Sequence, residues 1–134
     1  MNKRSNIEIV RDFIAACDGR HMDEACGFFT ADAIYHNIPM DPVTGPEGVR
    51  QVLQGFAEVS EEWRWETHHI AETAAGVVLT ERTDRIRAGG QWFEFPTMGA
   101  FELRDGKISA WRDYFDLQIA LATMQKAAAA KAAA

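Results

Sequence analysis

Cysteine is scarce in this sequence. Only Cys17 and Cys26 occur, with no C-x-x-C and no spacing of the kind thiolate metal sites use. Both fall on apolar helical stripes, so they read as buried thiols. Long apolar runs are also missing, and nothing approaches the roughly 18–20 residues that a membrane span needs. The charged start Asn2-Lys3-Arg4 leads into an amphipathic segment and not into the apolar stretch of a signal peptide, which makes the cytoplasm the expected location. Basic charge is in deficit: 14 Lys and Arg face 20 Asp and Glu, for a net charge of −6. Nucleic acid and anionic membranes reward the opposite balance, so neither is expected as a partner. Arg82, Arg85 and Arg87 form no basic patch, because alternation along a strand sends Arg82 to the face opposite the other two.

Several chemical signatures are absent as well. There is no G-x-S-x-G nucleophile elbow and no glycine-rich phosphate loop. The four histidines do not cluster. His68 and His69 are neighbours on a strand and look to opposite faces, while His21 and His36 have no partner at a ligand-like spacing. No metal and no cofactor is therefore expected.

What the chain does contain is a helical first half and a strand-rich second half. Its 134 residues suffice for one domain with a real core and not for two. Ser5-Asn6-Ile7-Glu8 is a capping box, in which Ser5 accepts from the Glu8 N–H and Glu8 reaches back to Ser5. Ile7, Val10, Phe13, Ile14 and Cys17 then follow at helical spacing, and Asp18-Gly19 ends the run. A second, short helix carries Met22, Ala25, Cys26 and Phe29. Thr44-Gly45-Pro46-Glu47 is a second capping box, opening a helix with the stripe Val49, Val52, Leu53 and Phe56. Between these helices, residues 33–38 read as extended and 38–42 as loop.

Four β-rich stretches follow at 63–71, 77–88, 91–103 and 107–115, divided by Gly76, Gly89-Gly90 and Asp105-Gly106. Such short breaks favour an antiparallel meander. A last helix starts at Asp116 with Leu117, Ala120, Leu121 and Met124 along one side. The alanine-rich residues 126–134 either prolong it or stand outside the fold, so residues 1–125 are expected to form the single domain. Helices packed into a strongly curved sheet give an α+β fold with a cone-like, apolar interior.

Residues i and i+2 of a strand share a face. Arg82 and Asp84 thus lie side by side, in line with Val78 and Ile86. Asp113 shares its face with Trp111 and Phe115, and Tyr35 shares one with Asn37. An ionised carboxylate among apolar side chains is costly unless it is paired. From spacing alone, a buried Asp–Arg–Asp network that locks strand register is one account of this pattern. Five polar residues converging on one apolar cavity are more than a lock requires. Val78, Ile86, Trp111 and Phe115 are the candidate cavity walls, and Trp63 and Trp65 read as strand packing with Trp65 able to reach the pocket. On the third strand Phe93, Phe95, Thr97, Gly99 and Phe101 form one alternate set, and Trp92, Pro96, Met98 and Ala100 the other. Both are too apolar for open solvent, which suggests that one lines the cavity and the other a subunit interface.

Tyr35-His36-Asn37-Ile38-Pro39-Met40, Glu81-Arg82-Thr83-Asp84 and Trp111-Arg112-Asp113-Tyr114-Phe115-Asp116 resemble, in order and spacing, the motifs of the limonene-1,2-epoxide hydrolase family. That family belongs to the NTF2-like superfamily, also called SnoaL-like, of mixed, mostly antiparallel sheets. The resemblance implies a catalytic set of Asp113, Arg82 and Asp84, with Asp113 as general base and Asp84 as general acid. It also implies that Tyr35 and Asn37 hold the attacking water, that the substrate is a small hydrophobic epoxide, and that the protein is a homodimer. Two other readings use the same residues: an isomerase or cyclase in which Asp113 takes a carbon-bound proton, and a non-catalytic ligand-binding module.

Overall fold

The computed structural model describes residues 4–134, so Asn2 and Lys3 of the charged start lie outside the described residues. Helix α1 (Asn6–Asp18) begins as expected, with the Ser5 Oγ accepting from the Glu8 N–H at 3.1 Å. The reciprocal bond is not made; the Glu8 carboxylate lies 3.9 Å from Arg4 Nε instead. Helix α2 (Met22–Cys26) is one turn shorter than its apolar stripe suggests. Gly27 ends it by turning its N–H back to the Asp23 and Glu24 carbonyls, and Phe29 opens strand β1 (Phe29–Asn37). The i+7 spacing of Phe29 is thus a coincidence of two elements, although its ring is buried in the same core.

Strand β2 (Val43–Thr44) pairs with β1 and leads directly into α3 (Gly45–Glu58). Thr44 holds the N-cap position, but its side chain makes no capping bond, and its backbone is paired with Ile34 in the sheet. The meander follows as β3 (Glu62–Glu72), β4 (Val78–Ala88), β5 (Gln91–Arg104) and β6 (Lys107–Tyr114). The turns Gly89-Gly90 and Asp105-Gly106 have positive φ at both central positions, the geometry that matches strand twist in two-residue hairpins. The sheet order is β2-β1-β6-β5-β4-β3, and β1 alone runs parallel to its neighbour β6.

One face of this mixed sheet packs on α1, with Phe13 edge-on to Trp111 at 5.0 Å and to Phe29 at 5.2 Å. Helix α4 (Leu117–Ala133) starts on an Asp116 cap, whose Oδ1 accepts from the Ile119 N–H at 3.1 Å. It runs on through the alanine-rich tail. Ala127 is fully buried, Ala130 packs against Gly89 of the β4–β5 turn, and Lys131 Nζ donates to the Glu58 carbonyl at the end of α3.

Candidate active site

Along β4, Val78, Thr80, Arg82, Asp84, Ile86 and Ala88 all point inward and all are buried. Register then decides what meets them. Arg82 lies opposite Thr97, Asp84 opposite Phe95 and Trp65, and Thr80 opposite Gly99, which in turn faces Asp113 on β6. Gly99 carries no side chain, and this is what lets β4 and β6 reach each other over β5. A Cβ there would come within 2.5 Å of Arg82 Nη1, 2.7 Å of Asp113 Oδ1 and 2.9 Å of Thr80 Oγ1. Strand glycines mark such close approaches.

Through that gap Arg82, 1% exposed, binds both carboxylates. Its Nε donates to Asp84 Oδ1 at 3.0 Å and its Nη2 to Asp84 Oδ2 at 3.0 Å. Its Nη1 donates to Asp113 Oδ1 at 3.3 Å and to Thr80 Oγ1 at 3.0 Å, and its Nη2 to Asp113 Oδ2 at 2.8 Å. These bonds use every N–H a guanidinium has. Trp111 Nε1 adds a further donor to Asp113 Oδ1 at 2.7 Å. A carboxylate has about four lone-pair sites. Asp113 keeps one of them free, and Asp84 keeps two.

Charge is as constrained as geometry. Two carboxylates and one guanidinium carry a net negative charge in a buried site, and one proton held by the pair makes the cluster neutral. Burial pushes the Asp113 carboxyl above the ordinary carboxylate range, while Arg82 and the Trp111 N–H pull it back and Asp84 adds to the rise. Burial favours loss of the Arg82 charge, but Asp113 and Asp84 together hold it protonated. Burial, and then the Asp113 charge, raises the Tyr35 phenol well above its usual value, so it stays a neutral donor. Burial also raises the Cys17 thiol well above its usual value, against the pull of Arg82, which leaves it inert.

Above the cluster opens a cavity of about 330 Å³, at the small end of the roughly 300–1,000 Å³ typical of ligand sites. Asn37, Asp84, Asp113 and Trp65 form its polar end, and Ile86, Phe95 and Phe115 the sheet wall. Asn37 is placed there by the parallel pairing of β1 with β6, which sets it beside Asp113. Two of the expected wall residues are elsewhere. Val78 is sealed in the core, and Trp111 lies beneath the site, stacked on Tyr35 at 3.9 Å and on Phe101 at 5.5 Å. Alternation gives the face of a residue and not its distance from the open end. Tyr35 is likewise buried behind the cavity surface, flat against Trp111.

Most of the rest of the wall comes from helices, with Met40 and Asp41 added from the loop after β1. Val52 and Phe56 of α3 and Leu117, Ala120, Leu121 and Met124 of α4 face the space, with Gln51 and Asp41 as polar exceptions. The α4 stripe is visible in the sequence as i, i+3, i+4, i+7, but periodicity does not distinguish a side packed on a core from one bordering a cavity.

The model of the limonene-1,2-epoxide hydrolase catalytic domain matches residues 4–126. This chain belongs to the limonene-1,2-epoxide hydrolase family. Epoxide hydrolase EphG of Mycobacterium tuberculosis is 32% identical over 109 residues, which are 81% of this chain and 71% of that protein. The structure of an M. tuberculosis limonene-epoxide-hydrolase-like epoxide hydrolase superposes with a TM-score of 0.76 at 27% identity, covering 96% of this chain and 95% of the other. SalBIII, an epoxide hydrolase/cyclase-like enzyme described in pyran ring formation in polyether salinomycin, shares the fold (TM-score 0.75, 18% identity, 84% and 92% of the two chains). The fold is NTF2-like, as in solved structures that superpose on this chain at 17% and 13% identity.

Proposed function

We propose that this limonene-1,2-epoxide hydrolase family member adds water to the epoxide of a small or medium apolar molecule, giving a vicinal diol in one step. The observation that carries this reading is Arg82 spanning two buried carboxylates at the polar end of an apolar cavity. Water is too weak a nucleophile, and an alkoxide too basic a leaving group, for quick opening at neutral pH. Asp113, through its one free lone pair, takes a proton from a water held by Asn37, which the buried Tyr35 phenol supports from behind. The water oxygen bonds to an epoxide carbon as that carbon's bond to the ring oxygen breaks, and Asp84 gives its proton to the departing oxygen. Asp113 has then gained the proton Asp84 lost, so the pair keeps its total and resets by passing one proton across.

A carboxyl above the usual range is a better base for this task than an ordinary one, because proton transfer is most effective near the working pH. An arginine tied to both carboxylates suits this exchange better than enolisation, where one carboxylate must swing between carbon atoms. Terpene-like, cyclic and steroid-like epoxides are the substrates to try, since the walls offer apolar surface and few hydrogen-bonding groups.

We further propose a cytoplasmic homodimer formed through the outer face of the sheet. Met98 and Tyr114, paired across β5 and β6, are each 48% exposed there, and Trp92 is 41% exposed. A single mass corresponding to the monomer in light scattering would overturn the dimer. Single turnover in heavy-oxygen water tests the chemistry. Label is expected in the diol only, and its appearance in an aspartate side chain would sink the one-step scheme.

A further inference from the structure

Gly55 is the one position on the cavity-facing side of α3 with no side chain, between Val52 and Phe56, which both line the same space. Glycine costs a helix interior more than any residue except proline, so its presence calls for a reason. The two usual reasons do not apply. Its backbone is not among the positive-φ glycines, and a Cβ placed on it would meet nothing within 4 Å. What Gly55 does is leave a notch at the exposed rim of the cavity, between the larger Val52 and Phe56. From this we infer that the notch receives the bulkier apolar end of the substrate, which makes Gly55 a specificity-determining position. The substrate class here rests on the epoxide hydrolase reading; the notch itself does not. A side chain at position 55 fills space that the ligand needs, without disturbing anything in the protein.

The test compares Gly55→Ala and Gly55→Leu with the unaltered protein on two epoxides of one skeleton, cyclohexene oxide and 1-phenylcyclohexene oxide. Both variants are expected to melt no lower than the parent. The preference for the small epoxide in kcat/KM is expected to rise about threefold in Gly55→Ala and tenfold or more in Gly55→Leu, mainly through KM of the bulky one. A ratio within twofold of the parent in Gly55→Leu, with melting retained, overturns the proposal. If Gly55→Leu does not fold, an unchanged ratio in Gly55→Ala overturns it equally. If the parent opens neither epoxide, the hydrolase reading fails separately. The notch is then tested by calorimetric binding of the two corresponding diols, where the same size preference must shift by the same factors for the proposal to stand.

Discussion

Trp111 donates its indole N–H to Asp113 from two positions along the same strand, at 2.7 Å. This bond ties the carboxyl proposed as general base to a cluster of core rings, with Tyr35 and Phe101 stacked on Trp111 and Phe13 edge-on to it. It also helps keep Asp113 ionised, against burial.

Trp111→Phe is therefore expected to raise the Asp113 pKa further. Activity requires ionised Asp113 and falls as pH drops through that pKa, so the acid limb of kcat/KM against pH should move to higher pH. The smaller ring should also cost about 1–3 kcal/mol of stability. A pH profile and a denaturant titration check both. An acid limb that stays in place would show that the indole N–H has no bearing on the base.

Asp113→Asn should lower kcat by at least about 1,000-fold, given the weight of general base and electrostatic terms. Its effect on stability follows from linkage. The folded-state pKa of Asp113 lies above its unfolded value, so this group's contribution to stability is fully present below roughly pH 3.9 and is lost as pH rises through the folded pKa. The asparagine variant lacks this loss. Its melting temperature relative to wild type should climb with pH across that window and then level off, which calorimetry over a pH series measures.

Arg82→Lys keeps the charge but cannot make two bidentate pairs. One or both carboxylates lose partners, at a cost of about 3–5 kcal/mol when a buried pair is broken. Turnover should vanish and urea unfolding should shift to markedly lower concentration. A variant as stable as wild type would mean the pairs contribute little.

Gly99→Ala adds one methyl where no room exists. Overpacking of this kind costs about 1–3 kcal/mol, and the Arg82 guanidinium and Asp113 carboxylate must shift off their present bond. We expect at least about a 100-fold fall in kcat together with a lower melting temperature. Normal kcat would show that the guanidinium need not bridge the strands.

Removal of residues 126–134 should lower the melting temperature by roughly 4 °C or more, as expected for a loss of about 1 kcal/mol in a domain of this size. Ala127 and the Lys131 bond to Glu58 are lost with them. An unchanged melting temperature would put the tail outside the fold.

Much of this was legible before any coordinates. Alternation put Arg82 and Asp84 on one face because that stretch is a regular strand with a period of two, and Gly89-Gly90 and Asp105-Gly106 named their own hairpins through their backbone requirements. Depth was not legible. Val78 and Trp111 share a face with site residues, yet lie in the core, since a pattern along one strand carries no information about what closes over it. In the sequence Gly99 is only one member of an apolar alternate set; its role depends on side chains from two neighbouring strands. The α4 stripe is visible, but periodicity does not tell whether it meets protein or cavity.

The parallel pairing of β1 with β6 brings Asn37 from the first third of the chain beside Asp113 near its end. Loops of that length close at an entropic cost before any contact repays it, and such distant pairings slow folding. The meander can assemble from local hairpins alone, but the place for water beside the base cannot. It exists only once the final strand has docked between the first strand and the rest of the sheet, so acquisition of activity should be the last kinetic event in refolding.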